Sequence, residues 1–255
     1  MDSGIKIYNP LSSDFEYMRT SLVPGLLQNL SENEGLFPNM KIFELSKIYL
    51  EKKEDLPEEK TSLGVACLAK EGSFLEVKGA ISAWAEKIHL NDLNFEISFK
   101  GGFWAKGKTL TVKSGEEELG RLGMVDQEVL HLFGIKKEVS LAELDFEKII
   151  ALAQDFPSYT PMAKFPAIEL DLSMEIADDV LYQDIQSKIE KISPMLKKVS
   201  FLSVYQGDKV EKGRKALAVR LTYRDDEKTL TLPEAQAIQD KVVSTLKKEY
   251  NISVR

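Results

Sequence analysis

The sequence predicts an α+β protein in two parts. A mostly antiparallel sheet with flanking helices comes first, followed by a compact domain of element order β-α-β-β-α-β. Three observations carry this reading. Pro157, Pro161 and Pro166 fall within ten residues, a density that neither a helix nor a central strand tolerates, so a linker over residues 157–166 separates the parts. Beyond it, Ile168, Leu170, Leu172, Met174 and Ile176 alternate with Glu169, Asp171, Ser173 and Glu175, the period of a strand with one buried face. Leu181, Ile185, Ile189, Ile192 and Leu196 then recur at helical spacing.

The remaining elements follow in order. In residues 1–156 a helix spans Ser21 to Glu32, with Leu22, Leu26 and Leu30 in register. Strands follow at Lys41–Leu50 and Ser62–Ala69, and a second amphipathic helix carries Val77, Ala80, Ile81, Trp84 and Ile88. Strand segments recur at Phe95–Phe99, Thr109–Lys113, Glu118–Val125 and Val139–Leu144, separated by glycine-bearing turns. In residues 167–255 the helix that begins near Leu181 ends or kinks at Pro194. A second strand, Val199 to Gln206, closes at Gly207-Asp208, and a basic loop, Lys209 to Lys215, leads into a third. There Leu217, Val219, Leu221 and Tyr223 face one way; Ala218, Arg220, Thr222 and Arg224 face the other. Thr231-Leu232-Pro233-Glu234 has capping-box spacing and opens a helix with Ala235, Ile238, Val242 and Leu246 on one stripe. A short strand, Ile252 to Arg255, completes the ferredoxin-like split βαβ pattern, with both helices on one sheet face.

Composition bounds the function. The one cysteine, Cys67, leaves no internal disulfide framework and suits a reducing cytoplasm. No basic region followed by an apolar run opens the chain, and no apolar stretch nears the ~20 residues that cross a bilayer, so no membrane role is expected. A net charge of −7 argues against a general binder of polyanions, DNA included, but the charge is uneven. Residues 197–228 hold nine Lys and Arg against five Asp and Glu, so contact with phosphate belongs to the last third.

No catalytic or metal constellation is visible. His89 and His131 each lack a partner at helical ligand spacing, and Cys67 lies in an apolar run where a small buried thiol is the ordinary outcome. Phosphate loops and nucleophile elbows are missing, and Glu116-Glu117-Glu118 and Asp225-Asp226-Glu227 read as solvated charge runs.

Several stretches nonetheless resemble a known family. Asn9-Pro10-Leu11-Ser12-Ser13, then Met18-Arg19-Thr20-Ser21-Leu22-Val23-Pro24-Gly25-Leu26-Leu27, is similar to the opening of the catalytic-like domain of the bacterial-type phenylalanine–tRNA ligase beta subunit. Phe43-Glu44-Leu45-Ser46-Lys47, Phe74-Leu75-Glu76-Val77-Lys78-Gly79 and Leu122-Gly123-Met124-Val125 resemble it further along. The last third resembles that subunit's ferredoxin-fold anticodon-binding domain through Phe165-Pro166-Ala167, Asp171-Leu172, Val204-Tyr205-Gln206-Gly207, Lys212-Gly213-Arg214-Lys215-Ala216-Leu217-Ala218 and Thr229-Leu230-Thr231. These come in family order over nearly the whole chain. There are departures: Leu170 stands where the family often has arginine, and Ser203 where it usually has aspartate. Gly102-Phe103-Trp104-Ala105-Lys106-Gly107 replaces a His-Pro-Gly-Arg-like stretch.

The resemblance implies a class II synthetase-like sheet without its chemistry, packed on a catalytic alpha subunit in an (αβ)₂ heterotetramer, and an anticodon-binding module for the tRNA. It implies a C-terminal part of a longer subunit, lacking the editing domain. ATP and magnesium would sit on the alpha subunit, with no cofactor in this chain. Independently, adenylate formation needs permanently charged arginines to clamp phosphates, and residues 1–163 hold only Arg19 and Arg121.

Candidate roles follow. Loop RNA is held by phosphate neutralisation and by stacking of splayed bases. Lys209, Lys212, Arg214 and Lys215 in the basic loop, with Arg220 and Arg224 on the third strand, are the phosphate candidates. Phe201 and Tyr205 share a strand face at this spacing; they either stack on bases or pack in the core, since parity does not say which face is open. Pro10, Met18, Arg19, Leu22, Leu26 and Leu30 are the subunit-interface candidates, against the alternative of a helix packed on its own sheet. Competing readings are a stand-alone tRNA-binding protein, a self-sufficient synthetase, and an oligomerisation or regulatory scaffold without a nucleic-acid role.

Overall fold

The computed structural model describes residues 4–12, 16–52, 55–99, 101–154, 156, 162–208 and 210–254. Ser13, Pro157, Pro161, Lys209 and Arg255 lie outside them. The chain divides into two compact units, Met1–Ser158 and Tyr159–Arg255. No described helix is long and apolar enough to cross a membrane.

The first unit is built on six strands: β1 (Met40–Leu50), β2 (Glu58–Ala69), β3 (Leu93–Ile97), β4 (Trp104–Ser114), β5 (Glu117–Val125) and β6 (Glu138–Asp145). Their order is β1-β2-β6-β5-β4-β3, antiparallel at every pairing. Helices α1 (Val23–Asn33), α2 (Ser73–Lys87), α3 (Gln127–Leu132) and α4 (Phe146–Leu152) complete it. Central β6 is buried on both faces. Val139 and Leu141 pack with the α1 residues Leu26 and Leu30, while Ala142 and Leu144 pack with the α2 residues Val77 and Ile81. Gly64 lets α1 approach β2, since a Cβ there would lie 2.6 Å from Leu26 Cδ1.

Strand β2 begins earlier than its hydrophobic run. Glu58 to Thr61 pair with Leu50 to Lys47 of the edge strand, where charged side chains stay in solvent and Lys47 meets Glu59 at 2.6 Å. The two short helices α3 and α4 follow strands directly, and each is capped by an aspartate. Asp126 accepts from the Glu128 amide (2.9 Å) and Asp145 from the Lys148 amide (3.1 Å).

The second unit contains β7 (Ile168–Ala177), α5 (Tyr182–Glu190), β8 (Leu196–Tyr205), β9 (Arg214–Tyr223), α6 (Leu232–Tyr250) and β10 (Ser253–Val254). The sheet order β10-β7-β9-β8, again antiparallel throughout, is the ferredoxin-like arrangement. Leu172, Met174, Leu217, Val219 and Leu221 meet Ile185, Ile189, Val242 and Leu246 in one core. The capping box forms as the sequence indicates: the Thr231 amide and hydroxyl both donate to the Glu234 carboxylate at 2.8 Å.

Two local expectations change. Helix α5 stops at Glu190, and Leu196, assigned to its stripe, opens β8 instead. Pro194 has no amide hydrogen and disfavours helical backbone at Ser193, so the chain turns there. The basic loop is shorter than expected, because Arg214 and Lys215 already belong to β9.

Candidate nucleic-acid interface

Both helices of the second unit cover one sheet face, so within this unit the other face is free. Strand register sets its side chains in rows across β8, β9 and β7. Lys198, Thr222 and Glu169 form one row, and Ser200, Arg220 and Asp171 the next. Then come Ser203, Ala218 and Ser173, and last Tyr205, Ala216 and Glu175. Small residues hold the third row, leaving a shallow floor between the long side chains.

Alternation alone puts Phe201 and Tyr205 together, but β8 shifts register between Phe201 and Ser203. One extra residue there reverses the parity beyond it. Phe201 therefore lies on the helix side, edge-on to Tyr182 of α5 with ring centroids 5.5 Å apart. Tyr205 lies on the free face, opposite Ala216, and is 48% exposed. Of these two candidates, Tyr205 is the one on the free face.

The cations separate as well. Arg214 Nη2 donates to the backbone carbonyls of Glu175 (2.8 Å) and Asn251 (2.9 Å), stapling the chain's last turn to β7. Lys215 points to the helix side, donating to the Asp178 carbonyl at 2.7 Å. Arg220 forms a side-on pair with Asp171 through Nε (2.7 Å) and Nη2 (3.0 Å), with Glu169 at 3.6 Å. That contact holds the Asp171 carboxyl below its ordinary range. Arg224 makes a looser contact with Asp226 at 3.3 Å, and Lys197 binds that carboxylate at 2.6 Å. Lys212 is exposed, and Lys209 lies outside the described residues. Lys198, which the sequence reading missed, projects from the free face of edge strand β8, and no ion pair involving it is found among the described residues. Its face follows from the first register shift, between Leu196 and Lys198, which no residue pattern announces.

In the first unit, Leu22, Leu26 and Leu30 are at most 1% exposed, so this stripe serves the chain's own core and is closed to a partner. The helical period of these leucines is the period of packing on β2 and β6. Arg19 ties the chain to β1: it pairs with Glu44 (2.7 Å), donates to the Lys47 carbonyl (2.8 Å) and contacts Ser46 Oγ. Pro10 and Met18 are part-exposed. Apolar side chains stay open at several places, Leu11, Leu75 and Leu132 among them, and on edge strand β1 Phe43 is 76% and Leu45 47% exposed. Together with Ala80, Trp84 and Phe146 these last two line a groove of about 460 Å³.

Among the described residues, no group of three or more His, Cys, Asp and Glu could hold a metal ion. Cys67 is buried, which pushes its thiol pKa up. Arg121 meets Glu118 at 3.7 Å, and Arg19 is committed to β1.

Comparison with known proteins adds a lineage. Residues 2–146 match the family model "Phenylalanyl tRNA synthetase beta chain CLM domain", and residues 163–255 match "Ferredoxin-fold anticodon binding domain". The phenylalanine–tRNA ligase beta subunit of Clostridium acetobutylicum is 29% identical over 246 residues, covering 95% of this chain and 31% of its own length. That of Syntrophotalea carbinolica is 30% identical over 265 residues, covering 98% and 33%. The chain thus spans about a third of the curated relatives it matches. Among solved structures, pyrrolysyl-tRNA synthetase from Desulfitobacterium hafniense aligns at 20% identity and a TM-score of 0.43, over 52% of this chain and 48% of that one.

Proposed function

Because the chain belongs to the phenylalanyl-tRNA synthetase beta chain family, we propose that it is a non-catalytic part of such an enzyme. It supports ATP-dependent attachment of phenylalanine to tRNA by packing on a catalytic alpha subunit and holding the anticodon region. The observation that carries the reading is the free face of the second unit. An exposed tyrosine, Tyr205, and an exposed lysine, Lys198, stand there around a floor of small residues, in the module matched by an anticodon-binding family. Aromatic platforms with flanking cations suit splayed loop bases and their phosphates. The first unit fits a scaffold, since Arg19 is tied to Glu44 and Arg121 meets Glu118.

In this reading ATP and magnesium belong to the alpha subunit, the assembly is an (αβ)₂ heterotetramer, and its setting is the cytoplasm. The partner meets edge strand β1 through Phe43 and Leu45, as an exposed apolar edge is ordinarily covered. Co-expression with the alpha subunit tests this. Phe43→Asp with Leu45→Asp should abolish co-purification while the thermal midpoint of the chain is kept; undiminished co-purification would move the interface elsewhere. Phenylalanine-dependent ATP–pyrophosphate exchange by this chain alone would overturn the non-catalytic assignment.

A further inference from the structure

The free face carries a charge gradient across its strands. β7 contributes Glu169, Asp171 and Glu175, whereas the edge strand β8 contributes Lys198. Between them Arg220 of β9 is turned toward β7 and held side-on by Asp171. Arg220 is thereby withdrawn from phosphates, and both Asp171 oxygens stay fixed by two hydrogen bonds from a planar guanidinium. The Asp171 side chain is still 54% exposed, so its remaining lone pairs face solvent on the free side. β7 and β8 stand two strand spacings apart, about 10 Å, comparable to the reach of one nucleotide from phosphate to base edge.

We propose that RNA lies on this face with one polarity, its phosphates over the β8 rim at Lys198 and its base edges toward β7, where Asp171 accepts a hydrogen bond from a base amino group and acts as the specificity-determining residue. A carboxylate repels phosphate but accepts from base amino groups, as acidic side chains do when they read cytosine. Arg220 is a positioning residue: it fixes the acceptor and keeps the β7 side from attracting backbone. This inference rests on the tRNA-binding reading above and adds to it the direction of the strand and the reader of the base.

The test measures binding of the full chain across a salt series to two transcripts: a phenylalanine tRNA, and the same tRNA with an all-uridine anticodon loop. Lys198→Ala should weaken both several-fold and flatten the salt dependence by about one contact. Asp171→Asn should behave differently. The preference for the natural loop should fall by about tenfold, the uridine loop should bind at least as well as before, and the salt dependence should not flatten. A merely structural cross-strand pair would lower the thermal midpoint and leave the preference intact. Retained preference in Asp171→Asn, or equal weakening of both transcripts with a flatter salt slope, overturns the proposal. No binding of either transcript by the unaltered chain would instead sink the tRNA reading itself.

Discussion

Tyr223 shows how closely single side chains decide the packing here. It is fully buried at the end of β9, and its hydroxyl has no hydrogen-bond partner among the described residues. Burial pushes its pKa far above the ordinary tyrosine range, so it stays neutral. An unpaired buried hydroxyl costs stability, so Tyr223→Phe should be neutral or stabilise the chain by up to ~1 kcal/mol in denaturant unfolding. A clear loss would mean the hydroxyl has a partner. Glu234 works in the opposite sense. Its contact with Lys228 (2.5 Å), together with the Thr231 amide and hydroxyl, lowers its pKa from 4.5 to about 2. A group with a depressed folded pKa stabilises above its unfolded value and loses that contribution as pH falls toward the folded one. The thermal midpoint of Glu234→Gln should therefore lie below that of the unaltered chain at pH 7. The gap should begin to close below pH 4.5 and vanish near pH 2. A gap that persisted unchanged at low pH would place the effect in packing.

Elements are where sequence and structure part company. Strands with one buried face and helices with a full apolar stripe are legible, because period 2 and period 3.6 leave marks over many residues. All six sheet segments of the first unit and the three long strands β7, β8 and β9 of the second are visible in that way, while the capping box of α6 shows in its own spacing. The six- and seven-residue helices α3 and α4 are too short to show a period, and their aspartate caps are the only local signal. Candidate-site legibility fails for a related reason. Alternation fixes parity only until a register shift, so Tyr205 could be named but its separation from Phe201 could not. Arg214 and Lys215 read as loop cations, yet the strand already begins at Arg214 and both are committed to backbone carbonyls. The stripe of α1 was ambiguous in principle, since a helix covering its own sheet and one covering a partner bury the same residues. Leu26→Ala decides that case: with Leu26 packed against β2 beside Gly64, unfolding should be easier by about 2–5 kcal/mol. A variant of unchanged stability that failed to bind the alpha subunit would restore α1 to the interface.

At the scale of the molecule, two units of different design lie in one chain, each with its own core. The first has no metal-holding group among its described residues, while Phe43 and Leu45 of its edge strand stay open. The second keeps one sheet face clear, with Lys198 on its edge strand outside any ion pair among the described residues. The proposed division between scaffolding and RNA handling draws on that contrast, and an electrostatic contribution from the exposed cations is its physical core. The most direct measurement is the affinity of the full chain for phenylalanine tRNA across a salt series. Phosphate contacts to loop RNA cost a slope of about −0.7 each in log affinity against log salt. Contacts at Lys198, Lys212 and Arg224 therefore give a slope near −2, and Lys212→Glu should flatten it. Binding that ignored salt, or no binding even at the lowest salt, would contradict the account.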